Sequence, residues 1–233
     1  MSRRLRGGST GDGWEVVEVQ GTAAALHGAG LPTPDRRLVR LASVVGPALV
    51  LGSSQVAGRL DPAEAADRGV EVARRRSGGG AVLLRPGHQV WLDVCLPRDD
   101  PLWDDDVGRA GRWLGTALAA ALLELGAAGA EAHQGPFEPS GWSHQVCFAG
   151  RAPGEVLVRG RKVVGTSQRR SREGAVFQVA VALVWAPSAL VDLLHLPDEA
   201  AAAVAAAGVG LGELVRLVRA ADVVDAVMAA LPS

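Results

Sequence analysis

The stretch EVLVRGRKVVGTSQRR, residues 155–170, reads as two apolar runs joined by Arg159-Gly160, the two-residue turn that links adjacent antiparallel strands. The next run, AVFQVAVALVW at residues 175–185, is long and rich in valine, as a central strand is. Working upstream, QVWLDVCLP (89–97), AVLLR (81–85), VEVARRR (70–76), ALVLGSSQ (48–55) and WEVVEVQ (14–20) also carry strand patterns. Their succession over residues 70–97 predicts three strands paired antiparallel. Helices are predicted at residues 22–30, from Asp61 with Pro62 in the first turn, and over 104–126, where three aspartates precede Leu and Ala at helical spacing and Gly126 ends the run. Beyond Pro187 the pattern is helical. The expected fold is a single α+β domain over residues 14–233, a mixed, largely antiparallel sheet with flanking helices, after a disordered leader at residues 1–13.

The 233 residues are 48% hydrophobic and 21% charged, with a formal net charge of -1. A chain of this size can bury a full core, and its balanced charge argues against a nucleic-acid partner held by phosphate contacts. No apolar run reaches the roughly 18 residues needed to cross a bilayer. The start of the chain is polar, without an apolar signal segment, so a cytoplasmic protein with no membrane partner is expected. Cys95 and Cys147 form no CxxC pair and the histidines lack zinc-ligand spacing, so no bound metal is expected. Lys162 is the only lysine among 24 basic residues. A coding bias toward arginine explains the rest and leaves Lys162 as either a chance survivor or a position that needs a compact ammonium.

RRRSGGGAV, residues 74–82, sets three arginines and three glycines between two strands. Consecutive glycines let backbone N–H groups approach a ligand, and arginine can hold an anion or a carbonyl oxygen. The pattern is neither a P-loop nor a GxGxxG dinucleotide loop. By spacing alone, such a turn is more often a plain hairpin than a ligand cradle.

Taken together, ALVLGSSQ, RRRSGGGAV and GRKVVGTSQRR, in this order and at these separations, resemble the catalytic domain shared by lipoate-protein ligases, octanoyltransferases and biotin-protein ligases. The likeness runs over roughly residues 14–231 and is nearest the lipoate-ligase branch. It implies an enzyme that attaches lipoate or octanoate to one lysine of a lipoyl acceptor domain through an acyl-adenylate, with ATP and Mg2+ as cofactors. Lys162 falls on the family's catalytic lysine, which contacts the acyl carbonyl and the adenylate phosphate. A fixed ammonium there would stabilise charge growing in both transition states. Arg75, Arg76, Ser77, Gly78, Gly79 and Gly80 fall on the substrate-binding loop, and Gly165, Ser167 and Gln168 on the lining beside the lysine. Gly154-Glu155 stands where the ligases carry Asn-Asp, which leaves Glu155 as the carboxylate toward nucleotide or metal. Leu84 and Val179 stand where the ligases carry histidines. The chain has no room for the C-terminal accessory domain of the larger ligases, so ATP use would call for a separate accessory subunit.

A second reading rests on CFAGRAPGE, residues 147–155, where Cys147 precedes Glu155 by eight positions. That spacing resembles the nucleophile of cysteine-dependent octanoyltransferases, which take the acyl group from acyl carrier protein as a thioester and need no cofactor. A thiolate is a strong nucleophile, and the charge of Lys162 would favour it. An isolated cysteine is otherwise more often a small buried hydrophobe, as expected of Cys95. A third reading is a homologue that binds an acyl chain or a lipoyl domain without catalysis. Arg169, Arg170 and Arg172 make a basic hairpin tip, solvated or docking an acidic acceptor.

Overall fold

The computed structural model describes residues 3–9, 13–28, 35–56, 58 and 60–233. In chain order the first strands are β1 (Arg3–Ser9), β2 (Glu15–Gly21), β3 (Leu38–Val44), β4 (Ala48–Leu51), β5 (Glu71–Arg74), β6 (Val82–Leu84) and β7 (Gln89–Pro97). There follow β8 (Ala130–Ala132), β9 (Val156–Val158), β10 (Arg161–Arg170) and β11 (Gly174–Ala182). Eight of them form one sheet in the order β1-β2-β3-β7-β11-β10-β9-β8, in which only the β2–β3 pair is parallel. The expected α+β class with a mixed, largely antiparallel sheet is what the chain adopts. Arg159 (φ 52) and Gly160 (φ 74) make the tight turn between β9 and β10, both on the left-handed side that matches strand twist.

The helices are α1 (Ala23–Gly28), α2 (Pro62–Asp67), α3 (Arg112–Glu124), α4 (Ser188–Leu193), α5 (Asp198–Ala207), α6 (Leu211–Leu214) and α7 (Ala220–Ala230). One face of the large sheet buries Leu92, Val94, Val179 and Val181 under α3 and α7. Its other face meets a three-stranded sheet, β5-β4-β6, and α1, through Trp91, Ala42, Val50, Leu84 and Leu26. The far side of that small sheet packs Leu49 and Leu51 against α2, α4 and α5. Alternate residues of β4 thus serve two cores, which is why all four are buried. No helix among the described residues is long and apolar enough to cross a membrane.

Three expectations change. The strands over residues 70–97 do not pair in succession: β5 and β6 flank β4, β5 parallel and β6 antiparallel to it, while β7 enters the large sheet. The β4–α2–β5 crossover fills a parallel slot that adjacency in sequence does not reveal. The helix predicted over 104–126 begins at Arg112, because the aspartates cap turns before it. Asp104 accepts from Asp106 N at 2.8 Å, and Asp106 from Gly108 N at 2.7 Å. Within the stretch read as a leader, Arg3–Ser9 pairs with β2 as the edge strand, while residues 1, 2 and 10–12 lie outside the described residues.

Candidate active site

The glycine loop is folded around one arginine. Arg75, 6% exposed, donates from Nη2 to Gly78 O (2.6 Å) and Gly80 O (2.9 Å), and from Nη1 to Val50 O of β4 (3.3 Å). A buried guanidinium that satisfies backbone carbonyls in this way fixes the loop's path. Gly79 sits at φ +96, and a Cβ there would lie 2.9 Å from Arg75 Nη2 and 3.9 Å from Cys147 Sγ. Only glycine lets the cysteine and the guanidinium face each other across this position. The next residue pairs the loop to the cysteine segment: Ala81 N donates to Gln145 O (2.7 Å) and Cys147 N to Ala81 O (3.0 Å). Those two bonds place Cys147, at the start of a 3-10 turn over Cys147–Ala149, beside the triple glycine.

Lys162, on β10, is 1% exposed. Its Nζ lies 2.6 Å from Glu155 Oε2 and donates to Cys147 O at 2.9 Å, with the Phe148 ring 5.4 Å away. Glu155 also accepts from Ala152 N (2.7 Å) and Thr166 N (3.4 Å). Burial pushes the Glu155 carboxyl up from its ordinary range, and the Lys162 charge opposes that shift. The preceding Gly154 has φ +83, and α3 closes on it so tightly that a Cβ on Gly154 would stand 2.5 Å from Gly111 O. An asparagine, as in the ligases, has no space there.

Between the two sheets runs an apolar cleft of about 510 Å³, counted to its open mouth. Cys147, Phe148 and Gly165 line it together with Leu84, Ala180, Trp91 and His27. The His27 and Trp91 rings stack at 4.6 Å. Burial first, with the charges of Arg75 and Arg40 adding, lowers His27 to about 4, so it is a neutral wall at neutral pH. A histidine whose folded pKa lies below its unfolded 6.5 gives stability that is lost as pH falls from 6.5 toward 4. The predicted loss is at most about 3 kcal/mol, reduced by the ring's partial solvent access. Urea unfolding across that pH window should show this slope, and His27→Phe, which keeps the stacking, should flatten it.

A chain of polar groups runs behind the cleft. Asp93, fully buried on β7, forms an ion pair with Arg40 of β3 and accepts from Trp91 Nε1 (2.9 Å) and Gln178 Nε2 (3.1 Å). Ser77 Oγ donates to Gln178 Oε1 (3.3 Å) and lies 3.0 Å from Ser167 Oγ.

The fold brings Lys162, Cys147, Glu155, Arg75, Ser77, Gly79, Gly80, Gly165 and Ser167 to one place. Arg76 does not join them: it is exposed and lines no part of the cleft. Gln168 turns away to donate to Val107 O at 2.5 Å, ahead of α3. At the hairpin tip Arg170 lies over Trp103 at 4.0 Å and donates to the carbonyls of Asp104 and Asp105, while Arg169 and Arg172 are exposed. His27, Asp93 and Gln178 went unread in the sequence, and Trp91, taken as core, also walls the cleft. A lone acid inside QVWLDVCLP and a lone amide inside AVFQVAVALVW were the available signals.

A two-sheet α+β domain whose glycine loop and buried lysine flank an apolar cleft defines the class to which this chain belongs, the lipoyl protein ligase A/B catalytic domain family, whose model matches residues 28–232. The octanoyltransferase LipM of Moorella thermoacetica is 32% identical over 158 residues, which cover 66% of this chain and 56% of that relative. The match therefore spans little more than half the length of the curated relative. Among solved structures, a lipoate-protein ligase A bound with ATP has TM-score 0.68 at 20% identity, covering 88% of this chain and 75% of that one. A bipartite lipoate protein ligase from Thermoplasma acidophilum, solved with its E2 lipoyl domain, has TM-score 0.67 at 19% identity, covering 88% and 73%.

Proposed function

We propose that this chain is an acyl-protein transferase that carries an octanoyl group as a thioester on Cys147 and passes it to a lysine of a lipoyl acceptor domain. In the first step the Cys147 sulfur attacks the carbonyl of an acyl thioester on a carrier protein; a C–S bond forms, the carrier's C–S bond breaks, and the carrier leaves as a thiol. In the second, the neutral lysine amine attacks the Cys147 thioester; a C–N bond forms, the C–S bond breaks, and the proton lost by nitrogen leaves Cys147 as a thiol. The observation that carries this reading is the side chain of Cys147 in the lining of the apolar cleft, 3.9 Å from the point where a Cβ on Gly79 would stand. The names of the curated octanoyltransferase relatives support it.

Lys162 has a different part from the one the family resemblance implies. Two of its three N–H groups meet Glu155 and Cys147 O, so it anchors the nucleophile's backbone. The adenylate route fits the residues less well. Glu155 has both oxygens engaged, Leu84 and Val179 offer no ligand, and among the described residues no group of three or more His, Cys, Asp and Glu could hold a metal ion. Incubation with octanoyl-carrier protein and a lipoyl domain, without nucleotide, is expected to give octanoylated lipoyl domain. Transfer only from free octanoate or lipoate with ATP would overturn the proposal.

A further inference from the structure

The polar chain behind the cleft has a direction, and that direction says what its last member can bind. Asp93 is a carboxylate and can only accept, so the Gln178 amide must turn its NH2 toward it, as the 3.1 Å contact has it. That orientation leaves Gln178 Oε1, an acceptor, facing Ser77. The single hydroxyl hydrogen of Ser77, 5% exposed, is then spent on Gln178 at 3.3 Å. The 3.0 Å contact between the two serine oxygens therefore draws its hydrogen from Ser167. Each donor points inward toward the buried carboxylate. Arg40 pairs with that carboxylate from the other side and holds it in place. Ser167 is half-buried and lines the same cleft as Cys147, so it meets the cleft with oxygen lone pairs and no hydrogen to give.

We propose that Ser167 is the hydrogen-bond acceptor for the N–H of the incoming lysine amine, with Gln178 and Asp93 as the positioning residues that hold its oxygen in the accepting sense. An acyl carbonyl oxygen needs a donor, and free donors lie in the glycine loop instead: the backbone N–H groups of Gly78, Gly79 and Gly80, which donate to no partner among the described residues. An amine that attacks a thioester carbon keeps its N–H bonds pointing away from that carbon, and an acceptor there aligns the nitrogen lone pair for attack. This inference rests on the acyl-thioester reading of Cys147.

The two half-reactions separate the claims. Acyl transfer from octanoyl-carrier protein to the enzyme is followed by intact mass, and transfer from the isolated acyl-enzyme to a lipoyl domain by single-turnover rate. Ser167→Ala is expected to slow the second rate about tenfold more than the first, the loss of one hydrogen bond to the reacting nitrogen. Ser167→Thr, which keeps the oxygen, should restore it. Gln178→Leu should produce the same split in rates, a selectivity that general loosening of the fold would not give. A Ser167→Ala enzyme slowed equally in both steps, or unchanged in both, overturns the assignment. If the wild-type protein takes up no acyl group at all, the thioester reading fails before any variant is compared, and this proposal fails with it.

Discussion

Cys147→Ala is expected to remove octanoyl transfer altogether, a fall of about 10³-fold or more, while the protein stays folded. Alanine offers no atom to carry the acyl group, and effects of that size follow when the nucleophile of a covalent route is deleted. The fold should not notice the change. Cys147 is only half-buried, and its position is set by its backbone N–H donating to Ala81 O and its carbonyl accepting from Lys162 Nζ, bonds that alanine keeps. The other cysteine supplies the control. Cys95 is fully buried in β7, and burial pushes its thiol up to about 12, so it stays protonated and out of reach. A Cys95→Ala enzyme should transfer at the wild-type rate. Loss of transfer in Cys95→Ala with retention in Cys147→Ala would reverse the assignment.

The second large effect concerns stability. Lys162→Met strands Glu155 inside the protein, 2% exposed, without the cation that sits 2.6 Å from it. Breaking a buried ion pair from one side costs about 3–5 kcal/mol, because the remaining charge has lost both water and partner. Denaturant unfolding should register that loss. Adding Glu155→Gln should recover a large part of it, since the amide carries no charge to strand. Transfer should stay low in the double variant, which also lacks the donor that Lys162 gives to Cys147 O. If Lys162→Met alone were as stable as wild type, the ion pair would not be the buried strut described above.

What could be read in the sequence follows a physical rule: local pattern survives, partner choice does not. The β9–β10 turn, the valine-rich centre of β11 and the start of α2 at Asp61 and Pro62 depend on residues a few positions apart, and all were legible. The structure adds the cap there, Asp61 Oδ1 accepting from Ala63 N at 2.8 Å. The separation of β5 and β6 by β4 was not legible, since pairing in a sheet depends on residues tens of positions away. The strand β3 passed unread, with Arg40 interrupting its apolar alternation, yet that arginine is buried against Asp93. At the site, the triple glycine and the solitary lysine announced themselves. The deeper charges did not, because a polar residue inside a strand looks like noise until its partner is known. Lys162 illustrates the difference: its singularity was legible, but its bond to the carbonyl of Cys147 required the turn that carries Phe148 beneath it.

The most direct test is to mix the protein with octanoyl-carrier protein, quench, and map the acyl group by peptide mass. The account predicts one octanoyl adduct, on the peptide that contains Cys147, released by hydroxylamine as a thioester is and discharged when a lipoyl domain is added. An octanoylated Lys162, or an acyl group that reaches the lipoyl domain only through an acyl-adenylate while Cys147 stays free, would contradict it.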